Sequence, residues 1–419
     1  MRAIDLLSGV LRHFSSTPSL LRLQMELRDY FGVKHVFLLS SGKAALTLIL
    51  EVLKQLSPRN QVVIPAYTCF SVPSAIVRAG LQVRLCDIHP KTLDFCIDGL
   101  EAVLGTDTLC VVATHLLGTP SDVEKIRRLC KERGIFVVED AAQAMGVRSN
   151  GRLMGTSGDV GFFSLGRGKN VTCGSGGVIV TNNDAIAEAL ARASNTLPKI
   201  GMMRALLNLA SALAMSVFVR PWLYWLPAGL PFLRLGETTF DPGFPIERMD
   251  GLRAGLLRHW RRRLEVANEA RRLAAREILR RLGTRASMLP RADDQDVIFL
   301  RLPLLLEDRL AKDRLCALSK KHGLGISPLY PSGIARIPEL QGRIKGGCMK
   351  GADVLADRLV TLPVHMFVTA ADRNGIARAI EAVTKEMDRV RTSDPHEKLP
   401  AHPQREDSAA VSLALRVRE

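Results

Sequence analysis

Short apolar runs alternate with longer stretches of helical periodicity along the first half of the chain. The runs that we interpret as strands cover residues 35–39, 62–64, 83–85, 109–113, 135–138, 160–165 and 178–181. Residues 44–53 form the first apolar helix, and a helical lead-in precedes the first strand. Apolar strands that alternate with helices are typical of a mainly parallel sheet buried on both faces. The pattern therefore predicts an α/β fold whose sheet is covered by helices.

A second, smaller α/β domain is predicted in the C-terminal part of the chain. Its predicted elements are an arginine-rich helix within 253–285, a strand near 297–302, a helix over 307–322 and a final helix over 371–390. On the first helix an apolar stripe lies opposite a basic face, and it consists of Leu257, Trp260, Leu264, Ala267, Leu279 and Leu282. The spacing of Thr369 and Asp372 is typical of a capping box at the start of the final helix.

These patterns divide the chain into a large domain over 1–245, a small domain over 246–390 and a tail over 391–419. The tail is polar and interrupted by prolines, so we expect it to be disordered. Within the apolar insertion at 204–235, the apolar run at 205–219 ends at Arg220-Pro221 and is too short to cross a bilayer, which takes about 20 apolar residues. We interpret this insertion as a buried helix or a dimer contact. The alternative is a peripheral membrane contact through 205–227, where a proline and aromatic residues would suit the interface.

Composition and charge restrict the class of protein. The chain of 419 residues carries a net charge of +16. No nucleic-acid motif accompanies this charge, so we expect no nucleic-acid partner. We interpret the arginine-rich segment as a solvated helix face, and the alternative is attraction to polyanions such as acidic lipid head groups or nucleotide-sugar diphosphates. The eight cysteines form no Cys-x-x-Cys pair, and the chain shows no signal peptide, so we expect a cytoplasmic protein without disulfides or a metal site.

Candidate chemistry is concentrated at two predicted strand ends. Asp140 follows the strand at 135–138, and Lys169 follows the strand at 160–165 in a loop that contains Gly166 and Gly168. Ligands of open α/β sheets collect at such ends. Pyridoxal phosphate needs a carboxylate beside its ring nitrogen and a lysine amine for its aldehyde, so we interpret Asp140 and Lys169 as this catalytic pair. Taken singly, Asp140 is equally well explained as a helix N-cap and Lys169 as a surface cation.

Two further features bear on this pair. Arg167 is a candidate cationic neighbour that would favour the neutral form of the lysine amine. Ser41, Gly42 and Lys43 form a turn before the apolar helix, where backbone N–H groups and the positive helix end face an anion. The alternative for the turn is a simple N-cap.

Seven motifs occur in the order found in one family, and they are Ser41-Gly42, Pro65-Ala66-Tyr67-Thr68, His115-Leu116-Leu117-Gly118, Asp140-Ala141-Ala142-Gln143, the segment from Ser164 to Asn170, Gly176-Gly177 and Leu362-Pro363-Val364-His365. With these motifs the chain resembles the DegT/DnrJ/EryC1/StrS family of pyridoxal-phosphate-dependent sugar aminotransferases, over about residues 20–385. The resemblance implies fold type I, with a mainly parallel seven-stranded sheet in the large domain and a smaller C-terminal α/β domain. It also implies a homodimer.

The resemblance implies an activity and roles for site residues. An amino acid, with glutamate expected, would donate its amino group to a keto sugar, expected to be nucleotide-linked, in polysaccharide, lipopolysaccharide or secondary-metabolite biosynthesis. Lys169 would bind the cofactor covalently, Asp140 would pair with the ring nitrogen, and Gln143 would lie near the ring. Ser164, with the turn at 41–43, would hold the phosphate.

Several questions stay open at this point. The family often stacks an aromatic side chain two residues after the position of Tyr67, where this chain has Cys69 followed by Phe70, so either aromatic residue or neither is the stacking group. His115 is either a cofactor or substrate contact or a structural residue. A dehydratase-like enzyme of the same fold is one rival function, but such relatives replace the lysine. A membrane-peripheral or regulatory protein without turnover is the other, motivated by Cys69, by Ser175 in place of the usual glutamate and by the segment 205–227. Lys43 stands where the family usually has a threonine after Ser41-Gly42.

Overall fold

The computed structural model describes residues 16–201, 238–283, 297–342, 344 and 347–393, with the isolated positions 207, 210 and 214. The predicted apolar insertion and the predicted tail lie almost entirely outside these residues. Among the described helices, none combines the length and the apolar character that crossing a bilayer requires. All eight cysteines are described, and all are free thiols.

A seven-stranded sheet forms the centre of the N-terminal part of the chain, described at residues 16–201 and 238–256, which we refer to as the large domain. The strands of the large domain, with two short two-stranded ribbons, are β1 (His35–Leu39), β2 (Gln61–Pro65), β3 (Gln82–Cys86), β4 (Ile88–His89), β5 (Asp94–Phe95), β6 (Thr108–Thr114), β7 (Phe136–Asp140), β8 (Arg148–Ser149), β9 (Arg152–Leu153), β10 (Val160–Ser164) and β11 (Gly177–Thr181). The sheet order is β1-β11-β10-β7-β6-β2-β3, and only β11 runs antiparallel to its neighbours. The predicted seven-stranded, mainly parallel sheet is confirmed.

Helices cover both faces of this sheet, because its strands are apolar on both sides. The helices of this part are α1 (Ser16–Phe31), α2 (Gly42–Leu56), α3 (Ser71–Arg78), α4 (Ile97–Val103), α5 (Val123–Lys131), α6 (Asp184–Thr196) and α7 (Gly251–Leu256). Most residues of α2 are buried, which agrees with the apolar helix predicted at 44–53. The first residue of α2, Gly42, lies against Ser164 at the end of β10.

The described residues of the C-terminal part form a three-stranded antiparallel sheet and four α-helices. They are α8 (Trp260–Leu282), β12 (Leu302–Leu305), α9 (Arg309–His322), β13 (Ser327–Pro328), α10 (Lys350–Arg358), β14 (Leu359–Leu362) and α11 (Ala370–Ser393), with the strands in the order β12-β14-β13. The predicted helices at 307–322 and 371–390 are confirmed. So is the capping box, because Thr369 N–H donates to Asp372 Oδ2 at 2.8 Å and Asp372 N–H donates to Thr369 Oγ1 at 3.2 Å.

The strand predicted near 297–302 is wrong, since β12 begins only at Leu302. The preceding residues instead pack against the turn that follows β6. Leu300 N–H donates to the Leu117 carbonyl at 2.8 Å. A β-carbon on Gly118 would lie 2.3 Å from the Ile298 carbonyl oxygen, so the two backbones touch directly. This apolar stretch is buried against the large domain, and its buried side chains explain why it resembled a strand.

The arginine-rich helix α8 connects two hydrophobic clusters. Trp260 and Leu264 pack with the large domain, whereas Ile278 and Leu282 pack with the C-terminal sheet. The predicted apolar stripe is therefore only partly correct, because the buried face also contains Asn268 and Arg271. These two polar residues contact the loop that carries Lys169.

Candidate active site

The carboxyl ends of three neighbouring parallel strands meet at one edge of the large sheet. Asp140, the last residue of β7, is in register with Phe162 of β10. Ala141 N–H donates to the Phe162 carbonyl, and His115 N–H donates to the Asp140 carbonyl, both at 3.0 Å. This edge brings together the residues that follow β6, β7 and β10, as the sequence predicts.

Asp140 is a buried carboxylate with incomplete compensation from the protein. It is 6% exposed, and its Oδ1 accepts from Ala142 N–H at 3.0 Å. Burial raises the pKa of Asp140, although the Ala142 hydrogen bond and the charges of Lys169 and His115 oppose this effect. A raised pKa means that the ionised form needs a further positive partner, which a protonated ring nitrogen would supply.

Lys169 lies half-buried in the loop after β10, near enough for its charge to lower the pKa of Asp140. Gly168 in this loop has a φ of +73°, a conformation that glycine adopts without strain. Arg167, predicted as the cationic neighbour, is exposed. The buried cation beside the loop is Arg271 of α8, whose Nη2 donates to the Lys169 carbonyl at 3.3 Å.

Arg271 was not anticipated from the sequence. It is 7% exposed, and its Nη1 also approaches the Asn170 carbonyl and Asn268 Oδ1, both at 3.4 Å. Burial lowers the pKa of Arg271 to about 10. Among the described residues no carboxylate forms an ion pair with Arg271. Arg271 is seven residues from Leu264 and therefore lies on the same, apolar face of the helix. This spacing is the one feature of the sequence that indicates its burial.

The turn at the start of α2 forms a cradle with the end of β10. Ser41 caps the helix, since its Oγ accepts from Ala44 N–H at 3.0 Å. The first N–H groups of a helix have no acceptor within the helix, so those of Gly42 and Lys43 suit an anion. A β-carbon on Gly42 would lie 2.9 Å from Ser164 Cβ, which brings Ser164 to this helix end.

Two departures from the family pattern in this cradle have structural explanations. The Lys43 ammonium contacts Asp241 Oδ2 at 3.3 Å and lies 4.4 Å from the centre of the Phe244 ring, so its side chain is held by these residues. Ser175 Oγ donates to the Ser40 carbonyl at 2.7 Å and joins the start of β11 to the turn. Lys43 is thus placed to offer its backbone N–H to an anion, while its ammonium is engaged elsewhere.

Gln143 lies in a buried hydrogen-bonded group that includes a residue of the C-terminal part. Its Oε1 accepts from Leu117 N–H at 2.9 Å, and its Nε2 donates to Tyr330 Oη at 2.9 Å. Tyr67 Oη accepts from Tyr330 N–H at 3.2 Å. No motif around Tyr330 marks it in the sequence, and only the fold brings it to Gln143.

The two candidate stacking residues, Tyr67 and Phe70, are both buried. Tyr67 is fully buried, its ring centre lies 5.3 Å from that of Tyr330, and burial raises the pKa of Tyr67. Phe70 is 7% exposed and precedes α3, while Cys69 Sγ donates to Ser71 Oγ at 3.3 Å. Stacking by Tyr67, by Phe70 or by neither therefore stays a prediction.

His115 forms a buried pair with Glu139. Its Nδ1 accepts from Ser121 N–H at 3.0 Å, so its Nε2 carries the proton that it shares with Glu139 Oε2 at 2.9 Å. Burial alone would raise the pKa of Glu139, but the hydrogen bond and charge of His115, with backbone N–H groups, lower it. Both ring nitrogens of His115 are engaged, which favours its structural interpretation. Its contact with the cofactor stays a prediction.

The described residues fit pyridoxal phosphate in three independent respects. The buried Asp140 has a raised pKa and so suits a cationic partner such as a protonated ring nitrogen. The start of α2 contacts Ser164 and forms a cradle for an anion, and Lys169 lies near the Asp140 carboxylate. The structure places the predicted residues at the strand ends, at the helix start and in the loops of this edge of the sheet, and they are Asp140, Lys169, Ser41, Gly42, Ser164 and Gln143.

Comparison with known proteins agrees with this geometry. A profile of the DegT/DnrJ/EryC1/StrS aminotransferase family matches residues 3–381. The chain is 32% identical over 174 residues to the GDP-perosamine synthase of Vibrio cholerae, which covers 42% of this chain and 47% of that protein. It is 34% identical over 160 residues to the UDP-N-acetyl-3-dehydro-alpha-D-glucosamine 3-aminotransferase of Acidithiobacillus ferrooxidans, covering 38% and 43%. The chain thus spans less than half of the length of these curated relatives.

A solved structure extends the likeness to nearly the whole fold. The aminotransferase TlmJ from Streptoalloteichus hindustanus matches with a TM-score of 0.75, and the match covers 93% of this chain and 98% of that one. The identity is 22%, so this likeness concerns the fold. The predicted α/β fold of pyridoxal-phosphate-dependent aminotransferases is confirmed.

Proposed function

Because the chain belongs to the DegT/DnrJ/EryC1/StrS aminotransferase family, we propose that it is a pyridoxal-phosphate-dependent enzyme that transfers an amino group to a keto sugar. The amino donor is an amino acid, with glutamate expected, and the acceptor sugar is nucleotide-linked. The observation that carries this proposal is the buried Asp140, whose raised pKa calls for a cationic partner beside Lys169.

The residues of the site have separate tasks in binding the cofactor. Asp140 would pair with the ring nitrogen, and Lys169 would bind the aldehyde. The first N–H groups of α2 and the Ser164 hydroxyl would hold the phosphate, and Gln143 would contact the ring. When bound, pyridoxal phosphate supplies an aldehyde that accepts amines and a ring that withdraws electrons from the adjoining carbon.

During turnover, Lys169 and Asp140 act on protons. The Lys169 Nζ would act as the base that takes the proton from the α-carbon of the donor and would carry this proton during amino transfer. Asp140 stays ionised, because the positive ring nitrogen offsets the cost of its burial. The buried surroundings of Asp140 exclude water and thereby strengthen the attraction between its carboxylate and the positive ring nitrogen.

The names of the two curated relatives support the class of acceptor. Both refer to sugars joined to a nucleotide, guanosine diphosphate in one and uridine diphosphate in the other. A dehydratase-like reaction is less well supported than amino transfer, because this chain retains Lys169, the group that moves the α-proton. A cytoplasmic homodimer that serves polysaccharide, lipopolysaccharide or secondary-metabolite synthesis completes the proposal.

Cofactor chemistry offers a direct test. Purified protein should take up pyridoxal phosphate and turn yellow, and borohydride should then attach the cofactor to Lys169, as peptide mass spectrometry reports. Addition of glutamate should remove the yellow band and yield 2-oxoglutarate. Lys169→Ala protein should show neither labelling nor this change.

The acceptor requires a second experiment. Nitrogen-labelled glutamate and a panel of nucleotide-linked keto sugars should yield one labelled amino sugar. Wild-type protein that takes up no cofactor would overturn the proposal and favour a regulatory or membrane-peripheral protein. Protein that binds the cofactor but never transfers nitrogen to a sugar would leave the cofactor site standing and overturn the substrate class.

A further inference from the structure

Tyr330 connects the C-terminal part of the chain to the candidate cofactor site. It follows β13, yet it is 5% exposed and lies between Tyr67 and Gln143 of the large domain. The Asp140 charge also acts on its hydroxyl, which places this hydroxyl near the carboxylate of the site. Tyr330 is therefore part of the site although it lies 187 residues from Gln143 in sequence.

The hydrogen bonds of Gln143 determine which way its amide faces. Leu117 N–H is a donor, so the group that it contacts must be the carbonyl oxygen Oε1. The nitrogen Nε2 consequently faces Tyr330 Oη and uses one of its two protons there. In the described part of the chain, no acceptor is found for the second proton. That proton is available to a ligand.

The two groups that hold this amide are themselves fixed by the backbone. Tyr67 Oη accepts from Tyr330 N–H, and Ile334 N–H donates to the Ala66 carbonyl at 2.8 Å, so the segment 330–334 is tied to the loop after β2. On the other side, the Leu117 carbonyl accepts from Leu300 N–H at 2.8 Å. Both contacts anchor the amide on turns that the C-terminal part packs against.

The Tyr330 hydroxyl keeps its own proton. Burial raises the pKa of Tyr330 well above its ordinary value, and the negative charge of Asp140 acts in the same direction, whereas the Gln143 hydrogen bond opposes it. Because Oη accepts from Gln143, its proton is free to donate as well. A neutral, buried hydroxyl in this position is a stable acceptor for the amide.

We propose that Tyr330 is a positioning residue that holds the Gln143 amide with its second Nε2 proton directed at the cofactor ring. The inference rests on the proposed function and adds a role for a residue of the C-terminal part. It makes cofactor affinity and the absorption of the bound cofactor depend on a hydroxyl outside the large domain.

The variant Tyr330→Phe removes only the hydroxyl. Pyridoxal phosphate is titrated into apo protein, and both the dissociation constant and the absorption maximum of the complex are measured. One hydrogen bond contributes about 0.5–1.5 kcal/mol, so we expect binding to weaken roughly 3- to 10-fold. We also expect a shift of the absorption maximum. Tyr30→Phe is the matched control, because Tyr30 packs on Trp260.

A double-mutant cycle separates positioning from a general structural effect. Gln143→Met removes the amide that Tyr330 is proposed to hold, so in this background Tyr330→Phe should weaken binding no further. Equal effects of Tyr330→Phe with and without Gln143 would show that the hydroxyl acts by another route and would overturn the inference.

The remaining outcomes are also decisive. If Tyr330→Phe binds the cofactor with the affinity and spectrum of the wild type, the role of Tyr330 is overturned and the proposed function stands. If the wild-type protein binds no cofactor, the proposed function is overturned as well. If Tyr330→Phe does not fold, Gln143→Met carries the test. Unchanged affinity and spectrum in that variant would show that the amide does not contact the ring.

Discussion

Gly42 at the start of α2 touches Ser164 at the end of β10 so closely that a β-carbon on Gly42 would lie 2.9 Å from Ser164 Cβ. The nearest atom is the β-carbon of a strand residue, which cannot move independently of the backbone. The contact therefore fixes the width of the candidate phosphate cradle.

Gly42→Ala should widen this cradle. Overpacking of a tight contact costs about 1–3 kcal/mol, so we expect lower thermal stability and weaker binding of pyridoxal phosphate. Binding of pyridoxal, which lacks the phosphate, should change less. Titration of both compounds measures the difference.

Gly105→Ala is the control, because nothing lies within 4 Å of a β-carbon at Gly105. It should leave both affinities unchanged. If Gly42→Ala weakens the two ligands equally, the cradle does not hold the phosphate.

Asp140 and Glu139 are adjacent buried carboxylates whose pKa values shift in opposite directions. The pKa of Asp140 is raised from 3.8, and that of Glu139 is lowered from 4.5. Successive strand residues face opposite sides of a sheet, so each meets a different environment. Glu139 finds His115 and the N–H groups of Gly155, Ser157 and Gly158, whereas Asp140 finds one N–H group.

Asp140→Asn should stabilise the apo protein and weaken its cofactor binding. The ionised Asp140 costs folding free energy at pH values above its folded pKa, and this cost disappears as the pH falls below 3.8. Asparagine removes the cost at neutral pH. Loss of a charge-assisted bond of about 1.5–3 kcal/mol should weaken cofactor binding roughly 10- to 100-fold.

Thermal melts of apo protein and cofactor titrations test both halves of this expectation. A variant that is less stable than the wild type at neutral pH would contradict the raised pKa of Asp140. A variant with wild-type cofactor affinity would remove Asp140 from the site.

Glu139→Gln should destabilise the protein most at neutral pH. Glu139 contributes stability above pH 4.5, and this contribution is lost as the pH falls through its lower folded pKa. Glu139 is a buried carboxylate that accepts hydrogen bonds from His115 and from backbone N–H groups, and hydrogen bonds to a charged group contribute about 1.5–3 kcal/mol each. Chemical unfolding of both proteins from neutral pH into acid should therefore show the two free energies of unfolding approaching each other.

The control is Asp184→Asn, which removes the partner of His35 in an exposed pair with a Nε2 to Oδ1 distance of 2.8 Å. Water screens that pair, so its loss should change stability little. A gap between wild type and Glu139→Gln that stays constant with pH would argue against an ionised Glu139.

Much of the site could be predicted because a parallel sheet brings its carboxyl ends to one edge. The strand ends therefore place Asp140 and Ser164 at the same edge of the sheet without knowledge of any distant contact. The opposite orientation of Glu139 also follows from strand alternation, whereas its pairing with His115 was not predicted.

Tyr330 and Arg271 could not be predicted in this way. Their contacts with Gln143 and Lys169 span 187 and 102 residues. Such contacts depend on how the C-terminal part packs on the large domain, which local periodicity does not determine. The strand wrongly predicted near 297–302 has the same cause, because its apolar residues pack against a turn instead of a neighbouring strand.

Arg271→Met should loosen the loop that carries Lys169. The guanidinium donates to the carbonyls of Lys169 and Asn170, and its removal leaves both without these donors. Each buried group left unpaired costs about 1–3 kcal/mol, so we expect lower thermal stability. We also expect slower covalent capture of pyridoxal phosphate by Lys169, because the loop no longer holds the amine in place. Stopped-flow absorbance measures the rate of capture. Arg271→Lys keeps the charge but not the fork of donors, so its capture rate should fall between those of Arg271→Met and the wild type.

Arg272→Met on the same helix is the control, since Arg272 pairs with Glu269 at the surface. Equal capture rates in Arg271→Met and Arg272→Met would show that Arg271 supports the fold without positioning Lys169.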